Sequence, residues 1–93
     1  MPVVDGVVYA DDFAPVIEAI SVQPLEGHRI EVRFEDGQVR VFDMSGLLNM
    51  GDFRRIADPE AFATVHIDGG APAWLDGSVD IAPETVYYDG KPV

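Results

Sequence analysis

Two alternating apolar runs, Ile30-Val32-Phe34 and Val39-Val41, flank the dipeptide Asp36-Gly37. Alternation with a period of two marks half-buried strands, and Asp-Gly between such runs is a strong hairpin signal. A two-residue turn needs positive φ at both central positions, which Gly adopts freely and Asp to a lesser extent. That loop pairs Glu35 with Gln38, Phe34 with Val39 and Val32 with Val41. The branched and aromatic residues then share one face. The opposite face carries Arg29, Glu31, Arg33 and Glu35 across from Met44, Phe42, Arg40 and Gln38. Arg33 opposite Arg40 is a like-charge pair, mildly destabilising, which Glu31 and Glu35 on the diagonals can offset. Phe42 is the odd member, a large ring on a charged face.

The same alternation extends upstream. Ile20 and Val22 alternate with polar or small residues until Pro24, which lacks a ladder donor and suits a strand end or an edge. A three-residue loop, Leu25-Glu26-Gly27, pairs Val22 with Ile30 and Ile20 with Val32, so all four join the core face. The pattern therefore predicts a three-stranded antiparallel meander over about Ile17–Leu25, His28–Phe34 and Gln38–Asp43. After Asp43 the period changes. Asp43 or Ser45 can cap a short helix bearing Leu47 and Leu48, and Phe53 and Ile56 are spaced for a second turn. Asp58-Pro59 is an N-cap followed by proline at the first helical position. Val65 and Ile67 return to alternation, Ala73-Trp74-Leu75 reads as a short strand, and Pro83 opens a last helical turn through Tyr87. Helices this short depend on tertiary packing. The expected fold class is α+β: a small twisted antiparallel sheet, with a short second strand pair and short helices on one face. Met1 to Pro15 reads as an extension or arm, 16–88 as the domain, and Asp89 to Val93 as a polar tail.

Composition narrows the class of function. The chain has 93 residues, enough for one core, and 47% are hydrophobic, which points to a folded domain. It has no cysteine, which excludes disulfides and thiolate metal sites. No run resembles a signal peptide or a membrane span, so a cytoplasmic location is expected. Asp plus Glu number 17 against 6 Lys plus Arg, a net charge of −11. Such a field repels phosphate backbones and anionic lipid, so neither direct nucleic-acid binding nor membrane binding is expected. It can steer a basic protein partner.

The order of features also resembles a known family. It runs from His28-Arg29-Ile30 through Asp36-Gly37, then Leu47-Leu48, Gly51-x-Phe53-x-x-Ile56-x-Asp58-x-x-x-Phe62 and Val65-x-Ile67-Asp68. Trp74 and Asp80-Ile81-x-Pro83-Glu84-x-x-Tyr87 complete it. This series, covering about Val16 to Tyr88, resembles the bacterial domain-of-unknown-function family DUF2442. The resemblance implies a compact α+β fold with a strongly twisted antiparallel sheet and no established catalytic activity. Some relatives look like accessory domains ahead of a helix-turn-helix DNA-binding domain. Others look like stand-alone proteins encoded beside a second small protein, as in toxin–antitoxin pairs. The few residues after Tyr88 leave no room for a DNA-binding helix pair, which favours the second type.

Catalytic and metal chemistry find little support. His66 and Asp68 share a strand face, but two ligands are too few for a metal, and Asp68 before Gly69-Gly70 is a natural turn former. Asp76, Asp80 and Glu84 recur every four residues without calcium-loop spacing, and Pro83 interrupts them. Ser21, Ser45 and Ser78 lie in no nucleophile elbow, and no glycine-rich loop cradles a phosphate. The sequence therefore predicts a non-enzyme without cofactors or metals. Its expected role is that of a small acidic interaction module, the antitoxin-like or accessory member of a two-protein system. The alternative is a ligand-sensing or regulatory domain without its own effector part. Candidate partner-binding residues are Arg33, Arg40 and Phe42 on the outer hairpin face, and Trp74 beside the glycine loops. Phe34, Phe53 and Phe62 are assigned to the core. A basic protein, a second copy of the chain, or the Val7-Val8-Tyr9 arm would cover Phe42.

Overall fold

The turn at Asp36-Gly37 differs from the two-residue loop, and the difference sets the register of the sheet. The computed structural model describes residues 17–93; the expected Val7-Val8-Tyr9 strand or arm lies outside the described residues. Within the turn Gly37 takes a φ of 90°, while Glu35 and Asp36 keep negative φ. The Gly37 N–H donates to the Phe34 carbonyl at 3.0 Å, and the Phe34 N–H donates to the Gln38 carbonyl at 2.8 Å. The loop thus has three residues, a turn followed by a left-handed glycine. The Asp36 carboxylate completes it by accepting from the Gln38 N–H at 2.9 Å.

One extra loop residue turns every side chain of the following strand over. Strand β2 (Arg29–Phe34) and strand β3 (Val39–Asp43) pair Ile30 with Phe42, Val32 with Arg40 and Arg33 with Val39. Phe42 therefore faces the core, packed against it beside Ile30, and Met44 is wholly buried. Val39 and Val41 point to the outer face instead. The expected outer position of Phe42 and the Arg33–Arg40 pairing are both corrected. Burying Phe42 and Met44 removes more apolar surface from water than burying two valines, so the energetics favour this register.

Strand β1 (Ala19–Leu25) joins β2 through Glu26-Gly27-His28, with φ of 77° at Gly27 and 58° at His28. Val22 pairs with Val32 and Pro24 with Ile30. Relative to the expected pairing of Val22 with Ile30 the strand has slid by two residues, so Val22 keeps its face. Ile20 does not. The register shifts between Ala19 and Ser21, so Ala19 takes the buried place opposite Phe34 and Ile20 is 56% exposed.

Ser45–Leu47 and Gly51–Ile56 form two 3₁₀ turns, and Pro59–Phe62 forms helix α1, capped by Asp58 accepting from the Ala61 N–H at 3.3 Å. Strands β4 (His66–Asp68), β5 (Ala71–Trp74) and β6 (Val79–Asp80) make a second antiparallel sheet in that order. Helix α2 (Pro83–Asp89) packs against β3 and buries Val86. Lys91–Pro92, expected as part of a tail, forms β7 and pairs with β3, so the first sheet has the order β1-β2-β3-β7. The architecture is α+β, two small antiparallel sheets with short helices. The expected meander and second pair each gain one short strand.

The core lies between the sheets. Ile30, Val32, Phe34 and Met44 from the first sheet side meet Ile56, Phe62, Trp74, Val79 and Val86. Trp74, proposed from sequence as a partner-binding residue, is fully buried, its ring 5.8 Å from that of Phe62. Its indole Nε1 finds no acceptor among the described residues. Trp74 is therefore a core residue and cannot anchor a partner on the surface. The inward position of Phe42 and the outward position of Val41 have a direct test. In urea denaturation Phe42→Ala should cost about 2 kcal/mol or more, whereas Val41→Ala should cost about 1 kcal/mol or less. The opposite ranking would support the two-residue turn.

Candidate functional site

The hairpin tip and helix α2 meet around one side chain, Tyr87. Its hydroxyl donates to Asp36 Oδ2 at 2.6 Å, across 51 positions of sequence. The Tyr87 ring stands edge-on to Phe34 at 5.0 Å and to Tyr88 at 5.3 Å. Arg40 closes the other side. Its Cζ lies 4.9 Å from the Tyr87 ring centre, its Nε donates to the Tyr87 carbonyl at 3.2 Å, and Nη1 donates to Gln38 Oε1 at 2.8 Å. Arg40 sits on the core-facing side of β3, but its long stem carries the guanidinium out to the edge of the helix.

Beside this network lies a concavity of about 140 Å³ lined by Ile17, Glu18, Phe34, Glu35, Asp36, Tyr87 and Tyr88. Three carboxylates and two tyrosines surround it, and Tyr88 is 71% exposed. Local structure holds the wall in place. The Glu35 N–H donates to the Glu18 carbonyl at 2.9 Å, and the Ala19 N–H donates to the Gly70 carbonyl at 2.8 Å. Gly70 has a φ of 83°, and a Cβ there would come within 3.3 Å of the Glu18 side chain. Glycine at 70 thus lets the β4–β5 turn approach Glu18 closely.

The titration behaviour follows from these contacts. The Tyr87 hydroxyl, and then the Gln38 N–H, hold the Asp36 carboxyl below its ordinary value of 3.8, with Arg40 adding a smaller effect. The same bond raises the Tyr87 phenol above 10.0. Away from the site, Asp43 is lowered by its hydrogen bonds with Ser45.

The four residues singled out from sequence do not come together. Arg33 is exposed on the outer face of the first sheet, Arg40 belongs to the Tyr87 network, Phe42 packs on the core, and Trp74 is inside it. Sequence reasoning missed Tyr88, Glu18 and the contact of Asp36 with Tyr87, having read Asp36 only as a turn former. The adjacent Tyr87-Tyr88 pair at the end of a one-sided helix was the available signal. His66 and Asp68 are exposed, and among the described residues no cluster of three His, Asp or Glu side chains could hold a metal ion.

The fold and its surfaces can be compared with known proteins. The family model described as "Protein of unknown function (DUF2442)" matches residues 19–92. The chain belongs to the DUF2442 family. No curated protein matches it. A crystal structure from Nitrosomonas europaea ATCC 19718, of a protein provisionally described as DNA binding, matches with a TM-score of 0.65 and 31% identity. The match covers 77% of this chain and 47% of that one, so this DUF2442 chain spans about half the length of its solved neighbour. Among the described residues no helix is long and apolar enough to cross a membrane.

The Asp36–Tyr87 bond predicts a pH dependence. Asp36 has a depressed pKa in the folded state, so its contribution is present above the ordinary carboxylate range and lost as pH falls through the folded value. Tyr87 has a raised pKa, so its contribution is present below about 10 and lost as pH rises through the folded value. In Tyr87→Phe the Asp36 carboxyl, followed by carbon-detected NMR, should titrate closer to 3.8. An unchanged Asp36 titration would assign the shift to the turn alone.

Proposed function

We propose that this DUF2442 domain is a non-catalytic interaction module that engages a basic surface of a second protein through the concavity at the hairpin tip. The observation that carries this reading is the pairing of exposed Tyr88 with the carboxylates of Glu18, Glu35 and Asp36 around one hollow. A Lys or Arg side chain entering there meets negative charge and aromatic edges and faces together, the combination that favours a partly desolvated cation. The net charge of −11 extends the attraction beyond contact range and speeds encounter with a basic partner. Such a partner fits the accessory or antitoxin-like role within a two-protein bacterial system, acting in the cytoplasm.

A second reading is favoured by one observation, the match to about half of a protein provisionally described as DNA binding. On that reading the domain is a regulatory or ligand-sensing unit whose effector part lies elsewhere. The two readings separate by ligand class, since only a sensor gains thermal stability from a small molecule.

The first reading is tested by NMR titration with Lys/Arg-rich, neutral and acidic peptides of equal length. The basic peptide should shift the Glu35, Tyr87 and Tyr88 amides, with affinity falling as salt rises. Tyr88→Ala should weaken that binding by about fivefold to tenfold, on the order of 1 kcal/mol. Equal responses to the three peptides, or shifts centred away from the hollow, would overturn the proposal.

A further inference from the structure

The hollow at the hairpin tip has a shape and a lining that distinguish between kinds of cation. Its volume of about 140 Å³ lies below the roughly 300–1,000 Å³ of small-molecule pockets and suits the end of a single side chain. The buried Phe34 and half-buried Ile17 line it, apolar surface for the methylene stem of such a side chain. Among the described residues no three His, Asp or Glu side chains converge closely enough to hold a metal ion, so the negative charge is spread around the hollow and not focused on a point. Asp36 already accepts from the Gln38 N–H and the Tyr87 hydroxyl. The exposed carboxylates of Glu18 and Glu35 are then the principal acceptors for an incoming group. A backbone hydrogen bond of 2.9 Å sets these two residues side by side.

The structure already seats one cation against this pair of tyrosines. The Arg40 Cζ lies 4.9 Å from the Tyr87 ring centre, while Nε donates to the Tyr87 carbonyl and Nη1 to Gln38 Oε1. One guanidinium thus uses a ring face and several acceptors at once. A compact, strongly hydrated ammonium has no planar fork with which to do the same. Arg40 does not line the hollow, and Tyr88 does. The Tyr88 ring meets that of Tyr87 in a T-shaped contact at 5.3 Å, which uses at most one of its faces, and the residue is 71% exposed. An open tyrosine face beside two carboxylates repeats the arrangement that Arg40 satisfies at Tyr87.

On the reading that a basic side chain enters this hollow, we infer that the hollow selects arginine over lysine. The guanidinium stacks on the open face of Tyr88 and donates to the carboxylates of Glu18 and Glu35, with its stem along Ile17 and Phe34. Lysine satisfies the charge without the stack or the fork. The partner surface is therefore one that presents an arginine, and a lysine-rich surface of equal charge is the weaker match.

Two peptides of equal length and charge, with Arg or Lys at the same positions, separate these cases when titrated into the full chain by NMR. The arginine peptide should bind about fivefold more tightly, the size of a cation–π contact at an exposed site. Its Cδ protons should move upfield as the guanidinium stacks over a ring. Tyr88→Leu should abolish both the preference and the upfield shift, leaving an equal, salt-sensitive affinity for the two peptides. Tyr88→Phe should keep both. Tyr88 is exposed, and the amide spectrum of each variant verifies its fold. Equal affinities in the unsubstituted chain, or a preference that survives in Tyr88→Leu, would overturn arginine selection while the basic-partner reading stands. Binding of neither peptide would overturn that reading and the selectivity with it.

Discussion

The left-handed backbone at Gly37 is the constraint on which the rest of the structure depends. A strand has two faces, and the number of residues in its turn decides which side chains each face receives. With three residues in the loop, Phe42 and Met44 turn inward and Val39 and Val41 turn outward. The inward pair then gives the short helices and the second sheet something to cover. Ile56, Phe62 and Trp74 come from segments too short to be stable alone, and they acquire order by packing on this surface.

The same turn also builds the acidic and aromatic wall of the hollow. Asp36 is held by the Gln38 N–H on one oxygen and by the Tyr87 hydroxyl on the other. Helix α2 is thereby tied to the hairpin tip, and Tyr88 is carried to the rim of the hollow beside Glu35. Packing of the core and placement of the acidic, aromatic wall are therefore consequences of one backbone conformation. Arg40 shows how the register tolerates a charge on the inner side, since its guanidinium reaches past the helix and stacks on Tyr87.

Much of the fold was legible in the sequence, and the exceptions have physical causes. Alternation and the Asp-Gly signal located β1 to β3 closely, and Asp58-Pro59 marked the start of α1, because these signals are local. Register was not legible, since Asp36-Gly37 fits both a two-residue turn and a three-residue turn with Gly alone at positive φ. That single ambiguity misplaced Phe42 and, with it, the candidate outer face. The bulge at Ile20 was hidden because Ala19 looks unremarkable until Phe34 is placed opposite. Strands of two residues, Val79–Asp80 and Lys91–Pro92, carry too short a pattern to read. The Asp36–Tyr87 contact joins residues far apart in sequence, so neither residue announces the other.

The edges of the first sheet carry one more consequence. Its outermost strands are β1 and β7, and each contains a proline, Pro24 and Pro92. A proline offers no N–H to an incoming strand, so continuous pairing along either rim is interrupted. Growth of the sheet by strand addition is thereby disfavoured at both of these rims.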